Sequence, residues 1–357
     1  HGNTDGLTVG RALPGGTYHW FFPAGTRALV TGRINGSVRL DLSAGSAAWV
    51  DASEARPVGD GTPRPAVVGS ITATERGGRA VIRIPVAWRV PQQVNEDDRS
   101  LRLRLYGAVS DINWVRYGPA PREIDRITWR QATADEVEIE VRLVAPLWGY
   151  RLSWDRNDLL LEVRPRPAVD PGRPLAGRRI VIDPGHPPAG AVGPSGMTEA
   201  EANLGVARIV RRLLEAEGAA VTMTRDDDRP LDLWPRVRLA DSLDADLEIS
   251  IHNTALPDGV NPFTNNGSSV FYFHPRSIPL ARAIQAELVA RLGLRDLGFA
   301  RGDLALVRGT WMPSVLTEGL FMMVPEQEAD LRSEAGRRRY AEAVVAGVRR
   351  FLAESGL

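Results

Sequence analysis

The sequence predicts a multidomain protein in which N-terminal all-β modules precede an α/β domain with a mostly parallel sheet flanked by helices. Three observations carry this. At 357 residues the chain has room for two to three domains of ~100–200 residues. Before about residue 165, short runs alternate apolar and charged residues. After a proline-rich stretch, apolar strand runs alternate with helix-period segments instead. The expected boundaries are a small β domain at 1–58, a β-sandwich at 63–165, a linker at 166–177 and the α/β domain at 178–357.

Residues 1–58 contain Ser37-Val38-Arg39-Leu40-Asp41-Leu42, then Gly45 and Ala48-Trp49-Val50-Asp51. Short alternating runs broken by glycine predict a small barrel or sandwich. This pattern resembles a bacterial SH3-like module of secreted cell-wall proteins. A Pro/Gly-rich joint over 56–65 leads to a second region with Ala80-Val81-Ile82-Arg83-Ile84, Leu101-Arg102-Leu103-Arg104-Leu105 and Val137 to Leu143. Strict alternation buries one face of each strand and wets the other, as in antiparallel sandwiches. Its closing segments, Gly149 to Trp154 and Leu159 to Val163, resemble the last hairpin of localisation modules found ahead of some cell-wall amidases. Seven of nine tryptophans precede residue 170, and in small β-domains such rings mostly fill the core.

Pro165, Pro167, Pro171 and Pro174 stiffen the linker. Beyond it, strands are predicted at 179–183, 219–224, 247–251, 269–273, 304–307 and 314–317, and helices at 199–217, 277–292 and 337–353. In the last helix Tyr340, Val344, Val348, Phe351 and Leu352 form one apolar stripe.

Composition excludes several functions. Forty-four acids balance forty-four bases, and neither half carries the basic field that nucleic-acid binding needs. The absence of cysteine removes disulfides, thiolate-bound zinc and thiol catalysis. No apolar run reaches the ~18–20 residues of a transmembrane helix. The chain begins at His1 without an apolar leader, which fits an exported mature form whose targeting segment is gone.

Three titratable residues follow apolar strand runs: His186 after Ile180-Val181-Ile182, His252 after Ile249-Ser250-Ile251, and Glu318 after Val315-Leu316-Thr317. In an open parallel sheet the carboxyl ends of the strands share one edge, where ligands bind. Thr198 and Glu201 fit a capping box at the next helix start, which leaves Glu199 free to point at that edge. A carboxylate that merely favours a helix N-terminus is the competing reading of Glu199. Two histidines and a glutamate with an open fourth position are a common ligand set for catalytic zinc, which acidifies bound water. Glu318, if not a ligand, suits the general base and acid. Asp183 is either an acceptor that orients an imidazole or a turn cap. His274, at the end of Phe271-Tyr272-Phe273, is a surface turn residue, a substrate contact or a ligand. The polar run from Asn253 to Ser268, which includes Asn266, reads as a wall of the substrate groove or as a plain connection.

Five stretches then resemble, in order, the zinc-dependent N-acetylmuramoyl-L-alanine amidases of the type 3 family. They are Ile180 to His186, Glu199 with Asn203-Leu204, Thr222-Met223-Thr224-Arg225, Ile249 to Asn253, and Pro313 to Gly319. The resemblance implies zinc held by His186, Glu199 and His252, catalysis by Glu318, and cleavage of the amide between the lactyl group of N-acetylmuramic acid and the L-alanine of the stem peptide. Arg225, Asn253, Asn266 and His274 are the candidate substrate contacts. Peptidoglycan is the expected partner, with envelope proteins reached through the β modules, and the expected location is the periplasm or cell envelope. One departure stands out: the family pattern has an asparagine two residues after the second histidine, where this chain has Thr254. The 253–268 loop is too short for the helical insertion that blocks the metal in some members. A zinc peptidase and a non-catalytic wall-binding protein are the rival readings.

Overall fold

The computed structural model describes residues 7–43, 45–59, 65–118, 121–257 and 259–355. His1 and the middle of the predicted joint, 60–64, lie outside them. The chain divides into two compact units, His1–Arg166 and Pro167–Leu357.

The first unit is built of β-sheet. A five-stranded antiparallel sheet runs in the order Tyr18–Pro23, Leu7–Arg11, Ser46–Asp51, Ser37–Ser43, Leu29–Ile34. Its hairpin turns at Asn35-Gly36, where both residues have positive φ (45° and 77°), the backbone that matches strand twist in a two-residue turn. Phe22, Val38, Leu42, Ala48 and Val50 form its core together with Tyr106 from the region that follows. In that region Leu101, Leu103 and Leu105 are fully buried while Arg102 and Arg104 face outward, as the alternation predicts. They share one core with Ile82, Ile84, Ile139, Leu159 and Leu161 from neighbouring strands. Trp148 is buried, and Trp88, Trp129 and Trp154 pack against this core. Trp114 is the exception among them, 57% exposed.

The second unit is α/β. Its elements are β1 (Arg179–Pro184), α1 (Glu199–Ala216), β2 (Ala220–Met223), α2 (Leu233–Ser242), β3 (Leu247–Thr254), β4 (Ser268–Tyr272), α3 (Ile278–Leu292), β5 (Asp296–Arg301), β6 (Ser314–Phe321), α4 (Pro325–Arg332) and α5 (Glu334–Ser355). The strand order is β2-β1-β3-β6-β4-β5. Four pairings are parallel, but β4 runs antiparallel to β6, so the mostly parallel sheet of the sequence reading is in fact mixed. Helix α5 packs against both α1 and α3, which in turn pack against the strands, and α2 packs against the turn at 305–307. Ile180, Val181, Ile182, Leu247, Ile249 and Ile251 are buried on both faces of β1 and β3, as strands covered by helices must be.

Two further predictions fail locally. Residues 304–307 hold a short 3-10 turn rather than a strand, and the edge strand is β5. Helices α2 and α4 go unforeseen. Pro235 looks like a breaker, yet it sits in the first turn of α2, where backbone N–H groups have no helical partner to lose. Among the described residues no helix is long and apolar enough to cross a membrane.

Candidate metal centre

The chain leaves β1 at Pro184 and turns through Gly185 to His186, which holds a positive φ of 60°. That left-handed backbone costs a non-glycine residue energy, so surrounding structure must hold it. Arg236 of α2 supplies the hold. It is 1% exposed, and its guanidinium donates to the carbonyls of Pro184, His186 and Pro187 at 2.8, 3.2 and 2.9 Å. Its charge is met by Asp183 at 2.9 Å. Asp183 also accepts from the hydroxyls of Thr224 (2.5 Å) and Ser250 (2.6 Å), so it anchors the strand end and neither caps a turn nor touches an imidazole.

Glu199 opens α1 as expected, with the Thr198 hydroxyl accepting from the Glu201 amide at 3.2 Å. Its carboxylate lies between two imidazoles. Oε2 is 3.1 Å from His186 Nε2, and Oε1 is 3.1 Å from His252 Nδ1. The Asn203 side chain and the Asn253 amide donate to Oε1, both at 3.3 Å, and the Ala191 amide donates to Oε2 at 3.1 Å. Each imidazole rests on a glycine. A Cβ on Gly185 would lie 2.2 Å from the His252 ring, and one on Gly190 2.9 Å from that of His186.

His186, Glu199 and His252 offer three ligand atoms within 4.8 Å of one another. A tetrahedral zinc with bonds of ~2.0–2.1 Å separates its ligand atoms by roughly 3.3 Å, close to the two 3.1 Å contacts. Among the described residues Nε2 of His252 is buried without a hydrogen-bond partner, a polar atom that the protein's own groups leave unmatched beside these ligand atoms. Two imidazoles and a carboxylate are the donor set of a catalytic zinc site. The residues present therefore fit a divalent metal.

The electrostatics follow the geometry. Burial works to raise the Glu199 carboxyl, but hydrogen bonds from His186 and His252 outweigh it and hold it well below the usual range. The hydrogen bond to Glu199 raises His186. Glu318 stands opposite His252 in the β3–β6 ladder. Burial pushes its carboxyl up, with the Glu199 charge adding and the His252 charge opposing. The Thr254 hydroxyl donates to Glu318 Oε2 at 2.9 Å, which gives the departure from the family pattern a place in the site.

The side chains of the four expected substrate contacts are bonded to other protein groups. Arg225 is buried and donates to the carbonyls of Pro184, Gly185, Ala200 and Asp227 at 2.7–2.9 Å. Asn253, 1% exposed, donates to Asn203 and accepts from the Leu320 amide. Asn266 braces its own loop through the Pro262 and Phe263 carbonyls and accepts from Gln327. His274 follows the carboxyl end of β4, and because β4 is antiparallel to β6, that end lies at the opposite edge of the sheet. There its Nε2 meets the Arg308 carbonyl at 3.1 Å.

A model of the N-acetylmuramoyl-L-alanine amidase family matches residues 180–350, a span that takes in His186, Glu199, His252 and Glu318. LytH of Staphylococcus saprophyticus, a probable cell wall amidase, is 31% identical over 211 residues, 58% of this chain and 68% of that protein. The chain belongs to the N-acetylmuramoyl-L-alanine amidase family. LytC of Bacillus subtilis, an amidase of this name, is 36% identical over 177 residues, covering 48% of this chain and 35% of LytC. The chain thus spans about a third of that relative's length. Among solved structures of the family, AmiC2 of Nostoc punctiforme is 29% identical with a TM-score of 0.47, over 50% of this chain and 98% of that one. The catalytic domain of CwlV is 32% identical with a TM-score of 0.45, over 49% and 98%.

Proposed function

We propose that the amidase-family unit hydrolyses peptidoglycan at the amide between the lactyl group of N-acetylmuramic acid and L-alanine of the stem peptide. The observation that carries this reading is the convergence of His186, Glu199 and His252 on one point, with Glu318 facing His252 from the neighbouring strand. His186 through Nε2, His252 through Nδ1 and the Glu199 carboxylate would hold zinc, in keeping with the family. Zinc supplies Lewis acidity that polarises an amide carbonyl and acidifies water. Glu318 takes a proton from the attacking water and delivers it to the departing alanine nitrogen, as its raised carboxyl suits it to do. Water oxygen joins the lactyl carbon, the C–N bond breaks, and the products are a lactyl carboxylate and a free L-alanine terminus. Thr254 occupies Glu318 Oε2 and leaves Oε1 to exchange protons. His186, held by Arg236, keeps its ring in place through the cycle.

The relatives' cell-wall roles support a location in the cell envelope, and the β-sheet unit is suited to hold the enzyme at the wall or against an envelope protein. The modular reading assigns 1–58 and 63–165 to two such modules, with 166–177 as the linker to the catalytic region at 178–357. Digestion of purified peptidoglycan, followed by end-group analysis, tests the activity. New amino-terminal L-alanine supports the reading. Cuts confined to the stem peptide would replace it with a zinc peptidase, and binding without cleavage with a wall-binding protein.

A further inference from the structure

The sequence pattern places Tyr340 in the apolar stripe of α5, but its hydroxyl does something the stripe does not require. The ladder between β3 and β6 runs in step from Glu248↔Ser314 to His252↔Glu318, then jumps to Thr254↔Phe321. One extra residue on β6 makes a bulge immediately after Glu318, and a bulge leaves backbone groups outside the ladder. Three successive amides there are each met by a side chain from a different element. Gly319 N–H donates to the Tyr340 hydroxyl at 3.1 Å, Leu320 N–H to Asn253 Oδ1 at 3.2 Å, and Phe321 N–H to Gln327 Oε1 at 2.8 Å.

Asn253 joins β6 from β3 itself, and Tyr340 is the member of this set that lies on neither strand and bonds to both. Its hydroxyl donates to the His252 carbonyl at 2.9 Å while it accepts from Gly319, and the Thr317 hydroxyl lies 2.7 Å away. The phenol's one proton has two carbonyls in reach, His252 at 2.9 Å and Thr317 at 3.3 Å, of which His252 is the nearer, and the Gly319 amide takes a lone pair. The residue is 0% exposed. Its ring lies so close to β6 that a Cβ on Gly319 would approach it to 2.3 Å, so position 319 admits only glycine without displacement.

We propose that Tyr340 is a positioning residue: its hydroxyl ties the backbone of the metal ligand His252 to the backbone that follows Glu318, and so fixes the metal against the proton-transferring carboxylate. The inference rests on the roles proposed above for those two residues. Between the His252↔Glu318 and Thr254↔Phe321 pairs the bulge interrupts the ladder, which closes again with Met322 N–H donating to the Thr254 carbonyl at 2.9 Å. Within that gap the phenol, beside the Asn253 side chain, bonds both backbones where the two functional side chains leave their strands.

Tyr340→Phe keeps the ring and removes the tie. Metal affinity is read by chelator competition and turnover on peptidoglycan, beside a control, Val344→Ala, which opens a cavity in the same stripe. Loss of an outer-shell support typically weakens metal binding about 10–100-fold. Tyr340→Phe is expected to weaken zinc binding at least about tenfold and to lower kcat with little change in KM. Val344→Ala is expected to lower Tm while leaving zinc affinity and kcat at wild-type values. If Tyr340→Phe lowers Tm alone, or if Val344→Ala moves zinc affinity as far, Tyr340 only packs and the inference is overturned. Should Tyr340→Phe not fold, Gly319→Ala presses on the same contact from β6 and must weaken zinc binding; unchanged affinity there also overturns it. A wild-type protein that binds zinc but releases no L-alanine termini would defeat the amidase reading and leave the zinc arm of this test standing.

Discussion

Glu199 and Glu248 are both buried carboxylates, 5% and 0% exposed, yet the two edges of the sheet treat them in opposite ways. Glu199 is surrounded by donors: two imidazoles, the Asn203 amide group and two backbone N–H groups. It is held as a carboxylate, well below its ordinary range. Glu248, near the start of β3, has the Ser314 hydroxyl at 3.3 Å on one oxygen and, among the described residues, no hydrogen-bond partner on the other. Burial first, and then the charges of Asp183 and Asp241, push it well above its ordinary value. Burial alone therefore marks no site. What separates the metal edge from the opposite one is the set of groups built to accept a negative charge, and a metal-ligating carboxylate needs such a set before the metal arrives.

The largest effect that can break this comparison comes from the ligands. His186→Ala is expected to lower zinc affinity by at least ~100-fold and turnover to background, since two of three ligands no longer close the site. Isothermal titration with zinc checks it, and near-normal binding would move the metal site elsewhere.

A smaller effect is expected from pH in the metal-free protein. His186 is raised by Glu199, so its contribution to stability is complete below the unfolded value of ~6.5 and is lost as pH rises through the higher folded value. Glu199 is lowered, so its contribution is present above ~4.3 and is lost as pH falls toward its folded value. The pair is thus strongest between about pH 4.5 and 6.5. Metal-free protein should have a higher Tm relative to Glu199→Gln at pH 5.5 than at pH 8, and zinc should add more to Tm at the higher pH, where fewer protons compete with it for its ligands. An equal Tm difference at both pH values would contradict the pairing.

The smallest effect on zinc is expected at the other edge. Glu248→Gln cannot ionise and should leave zinc binding unchanged. Because Glu248 is raised, the wild type loses stability relative to the variant as pH climbs from the unfolded value of ~4.3 toward the folded one, so the variant should gain on the wild type between pH 4 and pH 7. Calorimetry at pH 4 and 7, with a zinc titration at pH 7, measures both. A large loss at pH 7 would mean that Glu248 is ionised and paired, and the contrast with Glu199 would fall.

The gathering of His186, Glu199 and His252 at one edge, with Glu318 opposite His252, was legible because these residues obey local rules. His186, His252 and Glu318 follow apolar runs that only a covered strand tolerates, and Glu199 sits one residue inside a helix whose cap is written as Thr198. Strand direction is not a local property. His274 has the same signature as His186, and only the antiparallel pairing of β4 with β6 sends it to the far edge. The edge strand β5 was obscured by Gly298, in a left-handed backbone with φ 82°, while the apolar run at 304–307 folded into a turn packed under α2. Arg236 and Tyr340 were invisible for a different reason. Polarity patterns count a buried arginine as surface and a tyrosine ring as core, and neither pattern sees a guanidinium holding the His186 loop or a hydroxyl bridging two strands.

The central claim is that three side chains hold the metal while a fourth, Glu318, moves the proton. Metal content and turnover of Glu318→Ala, measured on the same sample after zinc loading and dialysis, test it most directly. The account predicts one zinc per chain, as in the wild type, with turnover reduced ~10²–10⁴-fold. A variant that loses its zinc, or that keeps wild-type turnover, would contradict it.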